Sequence, residues 1–151
     1  MIRILLLMFI VGCCTLKVNP ESVPCSKTPV ASLCKKANKM FRKYAEDRGF
    51  IILHDTETYV IHRWQAVGIN DTTVGYCEYY PWDGDRYTYL LSDYAYGNMT
   101  DSRNWKILWT ILHEKGHQIG LEHVEDVTDL MYPYVPTIQP YWFHKLLQEF
   151  E

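Results

Sequence analysis

His113, His117 and His123 share one short segment with Glu114 directly after the first histidine and Gly120 between the last two. Side chains four residues apart on a helix lie one above the other, so the imidazoles of His113 and His117 can point at a single ion. One further helical turn would carry a third side chain too far along the axis to complete a tetrahedron. Glycine ends helices in the left-handed conformation without steric cost, so the chain can turn back at Gly120 and return His123 to the same metal. Three histidines at about 2.0–2.1 Å leave one position of a catalytic zinc ion for water, whose pKa falls to about 7. Glu114 lies about 100° round the helix from His113, where its carboxylate reaches that water without binding the metal. The chemistry expected is hydrolysis, with Glu114 as general base and then as proton shuttle to a leaving amine.

These residues need a helix, and Trp105, Leu108, Trp109, Leu112, Gly116 and Ile119 follow the i, i+3, i+4, i+7 spacing of a buried stripe. Asp101 or Ser102 would cap its start. Lys115, Gln118 and Glu122 fall on the opposite face, which predicts solvent there. A second helix is predicted over Val30–Asp47, with Leu33, Ala37, Met40, Phe41 and Tyr44 at helical spacing and a stop near Gly49. Phe50–His54, Tyr59–Trp64 and Thr73–Tyr80 are β-branched and aromatic runs between polar turns, hence strands. Gln139–Phe150 reads as a closing helix with Trp142, Leu146 and Phe150 on one side.

The motif H-E-x-x-H-x-x-G-x-x-H is complete from His113 to His123, and Met131 follows in Asp129-Leu130-Met131-Tyr132-Pro133. In both features the chain resembles the metzincin zinc peptidases, and among them the matrixins. The resemblance implies an α+β, zincin-like single domain: a twisted mixed sheet of four to five strands with an N-terminal, an active-site and a C-terminal helix. It implies zinc on His113, His117 and His123, catalysis by Glu114, and Met131 as a methionine turn that floors the site. It also implies an edge strand antiparallel to a peptide or protein substrate. Tyr87–Leu91, just before the helix, occupies that place, so Tyr89, Leu90 and Leu91 are the expected substrate-aligning residues. Pro133 and Val135 are expected in the wall of the pocket beyond the scissile bond.

The chain departs from the matrixin pattern in three ways. Lys115 stands where an apolar residue is usual. Val135 stands where the Pro-x-Tyr pattern would place tyrosine after Pro133. A prodomain with a zinc-blocking cysteine has no counterpart, so zymogen control is not expected. His54, His62 and His144 with Asp55, Asp83 or Asp85 do not match the family's second-metal spacings, so one zinc ion is expected and neither structural calcium nor a second zinc.

With 151 residues, 48 % of them hydrophobic and 15 % aromatic, the chain suffices for one core, and a monomer is expected. A net charge of −3 without a basic stripe argues against nucleic acid as a partner. Met1-Ile2-Arg3 and the apolar run Ile4–Val11 are too short to span a bilayer and read as a signal peptide over residues 1–12. Ile10-Val11-Gly12-Cys13 resembles a bacterial lipobox, which would lipidate Cys13 and tether the chain to a cell-envelope membrane. An ordinary cleaved signal, giving a secreted protein, is the rival. Residues 13–28, with Pro20 and Pro24, read as a tether, and 29–151 as the catalytic domain. Cys14, Cys25, Cys34 and Cys77 can pair in an oxidising compartment, and Cys25 with Cys34 would close a short loop. Asn70-Asp71-Thr72 and Asn98-Met99-Thr100 are glycosylation sequons, meaningful only in a eukaryotic secretory route.

The first functional reading is a zinc endopeptidase acting on extracytoplasmic proteins or peptides. The alternative is a surface lipoprotein that keeps the fold and metal but serves as a protein-binding module, and Glu114 beside the zinc water argues against it.

Overall fold

The computed structural model describes residues 19, 21–53, 55, 57–66, 68–80, 85–97 and 101–151, with only the backbone described for 80 and 101–103. The signal peptide, Cys13, Cys14, His54, Asp83 and the Asn98 sequon lie outside the described residues, as do the side chains of Asp101 and Ser102.

Strand β1 (Val23–Pro24) leads through a short 3-10 turn into helix α1 (Ala31–Asp47). Strand β2 (Thr58–Ile61), the hairpin of β3 (Gly75–Tyr80) and β4 (Asp85–Leu91), and a single helical turn α2 (Ser92–Ala95) follow. Helices α3 (Asp101–Gln118) and α4 (Tyr141–Gln148) complete the α+β domain. The sheet order is β1-β2-β4-β3, with β2 and β4 parallel and the outer pairs antiparallel.

Helix α1 buries Ala37, Met40, Phe41 and Tyr44 at the expected spacing. Helix α3 differs from the expected amphipathic stripe. Every residue from Ile107 to Gly116 is buried, because β3 and β4 cover one side of it while α1 and the aromatic face of α4 cover the other. Trp109 packs its ring 5.6 Å from Trp142 and 5.1 Å from Phe143. The other face of the sheet carries a smaller cluster of Ile61, Tyr87, Tyr89 and Leu91, with Tyr76 stacked on Tyr89.

Four sequence expectations are corrected. Lys115 is not at solvent but fully buried, its ammonium 2.9 Å from Asp55 Oδ1. Arg42 donates from Nε and Nη2 to the other oxygen, Oδ2, at 3.0 and 2.7 Å. Burial opposes ionisation of Asp55, but Lys115 and Arg42 together hold its carboxyl below the usual carboxylate range. Gln118 is half-buried and donates to the Arg86 carbonyl at 2.9 Å. Phe50–Leu53 forms no strand, and Ile51 and Leu53 are 78 % and 80 % exposed. Apolar β-branched residues favour strands where a pleated neighbour packs them, and no strand pairs with this segment among the described residues. The tether expected over residues 13–28 ends earlier, since Val23–Pro24 pair with β2 and Cys25 is buried in a disulfide with Cys34.

Asp55→Ala is expected to destabilise the fold by about 3–5 kcal/mol, because it strands a buried ammonium, whereas Lys115→Met should cost far less. Urea midpoints of the two variants check the ordering, and equal losses would contradict it.

Candidate active-site cleft and metal centre

Helix α3 places His113 and His117 one turn apart, their rings edge-on at 4.9 Å. The helix ends in a Schellman turn. The N–H of Gly120, at φ 91, bonds the His117 carbonyl at 3.0 Å, and the N–H of Leu121 bonds the Gly116 carbonyl at 3.0 Å. The chain then returns His123 to the first two histidines. Its Nε2 stands 3.2 Å from Nε2 of His113 and 3.0 Å from Nε2 of His117. Nitrogens bound tetrahedrally to one ion at about 2.0–2.1 Å would be roughly 3.3 Å apart, so the three nitrogens fit a common metal with little adjustment.

The protons of the rings are placed by backbone. His113 Nδ1 lies 2.7 Å from the Leu130 carbonyl and His117 Nδ1 lies 2.8 Å from the Leu121 carbonyl. A carbonyl only accepts, so each Nδ1 donates and each Nε2 turns its lone pair toward the shared point. Burial pushes the His113 imidazole down to about 4 and lowers that of His117, which favours the neutral ligand form. Of the described residues, these three make the cluster whose ligand atoms lie within 4.8 Å of one another. Of the residues weighed for a second metal, Asp55 is paired with Lys115 and Arg42, and His62 Nδ1 is 2.7 Å from Ser92 Oγ.

Glu114 is only 7 % exposed, and burial pushes its carboxyl up to about 8. A cation on the histidines would draw it back down. Met131 is buried beneath the site in a turn where its N–H bonds Asp129 Oδ1 at 2.7 Å. It packs against Gly116 so closely that a Cβ there would collide with Met131 Sδ. Gly116 is therefore what lets the methionine lie directly under the metal-binding turn of α3.

A cleft of about 570 Å³ opens over the histidines and Glu114, bounded by residues 72–77 on one side and 132–135 on the other. Pro133 and Val135 line it, as expected. Tyr89, Leu90 and Leu91 do not. Strand β4 is interior, with β2 on one flank and β3 on the other, so its backbone has no free edge for a peptide. The edge beside the cleft is β3, whose Gly75, Tyr76 and Cys77 line it. Burial pushes the Cys77 thiol up to about 12, with the Glu114 carboxylate adding to the shift, so it stays a neutral thiol.

The family model for the matrixins matches residues 35–147, from α1 to the last turns of α4. This chain belongs to the matrixin family. No curated protein and no solved structure matches it. Membership brings a metallopeptidase-type function, and the family binds zinc in general.

This matrixin also uses groups that the sequence reading did not single out. The carbonyls of Leu121 and Leu130 carry no residue identity and left no signal. Asp129, two residues before Met131, has the spacing of a side chain that caps its own turn. Gly75 inside a strand is a recognisable sign of close backbone approach. Gly116→Ala is expected to cost about 1–3 kcal/mol through overpacking against Met131. Adding Met131→Ala should give a total smaller than the sum of the two single losses. Thermal unfolding of the three variants measures this, and simple additivity would refute the contact.

Proposed function

We propose that this matrixin is a zinc-dependent endopeptidase that hydrolyses peptide bonds of extracytoplasmic proteins or peptides. One observation carries the reading: three Nε2 atoms converge, those of His113 and His117 freed of protons by their Nδ1 bonds, beside a buried carboxylic acid in a cleft that runs along a sheet edge. His113, His117 and His123 would hold one zinc ion, which when bound acidifies water and polarises a carbonyl oxygen.

The chain's own residues supply the rest. The Leu130 and Leu121 carbonyls keep the Nδ1 protons of His113 and His117 in place. An extended substrate would pair antiparallel with the outer edge of β3, which fixes the scissile bond against the histidines. Glu114 takes the proton from the attacking water and delivers it to the leaving amine, and its burial suits a group that must hold and release a proton. Pro133 and Val135 wall the space for the next side chain, with Val135 leaving more room than a tyrosine would.

Export belongs to the same proposal. The signal-like residues 1–12 support it, and so does the Cys25–Cys34 disulfide, a bond that persists in oxidising compartments. Lipidation at Cys13 would hold this monomeric enzyme at a cell-envelope membrane.

The test is cleavage of a mixed, unstructured peptide library by the purified chain beside Glu114→Ala at equal zinc occupancy. The variant should retain one zinc and lose about 10²–10⁴ in rate. His123→Ala should instead lose stoichiometric zinc. If parent and Glu114→Ala both hold zinc and neither cuts, the protein-binding module replaces the enzyme as the reading.

A further inference from the structure

We infer that Gly75 is a positioning residue for Glu114, setting the gap between the general base and the strand that aligns the substrate. The inference rests on the peptidase reading above. Gly75 begins β3 and lines the cleft, opposite Leu90 of β4. A Cβ at this position would stand 2.8 Å from Thr110 Cγ2, 3.1 Å from the Tyr89 carbonyl oxygen and 3.2 Å from Glu114 Cγ. Non-bonded carbons settle at about 3.5–4.0 Å, so the first and last of these contacts are too close for a methyl group.

None of the three neighbours yields easily. The Thr110 hydroxyl donates to the Lys106 carbonyl at 3.0 Å, which holds the side chain in one rotamer with its methyl toward β3. Thr110 is 2 % exposed, and turning its methyl away from β3 would break that bond. Tyr89 lies in the interior strand, paired to β2 and β3. The Glu114 stem leaves the buried stretch 107–116 of α3. A side chain at position 75 must therefore push the edge strand outward or swing Glu114 aside. Either movement changes where the proton carrier stands relative to a peptide laid on β3. Glycine here keeps the two in contact.

The experiment compares Gly75→Ala with the parent, both zinc-loaded, in steady-state cleavage of the best library peptide. The same pair is measured in a Thr110→Ser background. Serine keeps the hydroxyl bond to Lys106 and removes the methyl that the new Cβ strikes. Gly75→Ala should lower kcat by about 10- to 100-fold with KM changed less than about threefold, as displacement of a catalytic group does. In the Thr110→Ser background the same substitution should cost several-fold less. A kcat within twofold of the parent, or an equal loss in both backgrounds, would overturn the role. A Gly75→Ala chain that does not fold or bind zinc, and that Thr110→Ser does not restore, would make Gly75 purely structural and overturn it as well. Where Thr110→Ser restores folding, the comparison is between the double variant and Thr110→Ser alone, with a lower kcat at similar KM expected.

A crystal structure of zinc-loaded Gly75→Ala gives a readout independent of turnover. It should show β3 or the Glu114 carboxylate displaced by several tenths of an ångström relative to Thr110, and superimposable positions would overturn the inference. A parent that cuts no peptide would count against the peptidase reading alone, and the displacement would still decide whether Gly75 sets the gap.

Discussion

Two backbone carbonyls hold the metal-binding geometry together. Those of Leu121 and Leu130 each take an Nδ1 proton, and only then do His113 and His117 present Nε2 lone pairs to the point where His123 arrives. Each carbonyl belongs to a loop that the site also needs for another purpose. Leu121 follows the glycine at which the helix reverses, and Leu130 precedes the methionine beneath the histidines. The helix end, the return of the third ligand and the methionine turn are thus one mechanical unit. A disturbance in any of them reaches the imidazoles through a single hydrogen bond.

That unit needs a firmly held helix α3, and its stretch 107–116 is buried between the sheet, α1 and α4. The unusual part of the packing is Lys115, which stands between Glu114 and Gly116 with no exposed surface. Removing an ammonium from water is costly, and the interaction with Asp55, itself shared with Arg42 of α1, offsets the cost. The pair ties the connection after α1 to helix α3, a link that an apolar residue at 115 could not make in the same directed way. It also explains how a charge can occupy a position where the family usually carries an apolar side chain.

The cleft depends on close approaches as much as on side-chain chemistry. Gly116 admits the Met131 sulfur from below, and Gly75 admits Glu114 and Thr110 from the side of the sheet. Both glycines have ordinary backbone angles, so the missing Cβ matters for space alone. Small residues set the distances between layers here, and the large residues Trp109, Trp142 and Phe143 fill what remains on the far side of the helix.

The chemistry of the site was legible in the sequence because it is local. The spacing of His113, Glu114 and His117 follows from the helical period, and Gly120 before His123 follows from the one conformation that lets a helix reverse within three residues. Helix α1 was legible for the same reason, its apolar positions repeating with the period of a single element. Strand order was not. Tyr87–Leu91 and Thr73–Tyr80 look alike as strands, and only pairing with β2, far away in sequence, turned β4 into an interior strand and left β3 as the edge. Lys115 carries the same warning, since helical spacing gives the direction of a side chain but not what stands there. The sequence alone determined which atoms can do chemistry, because that depends on near neighbours. The tertiary structure alone decided which strand edges the cleft, which charge is buried and which glycines must stay bare, because those depend on contacts between segments that no local period relates.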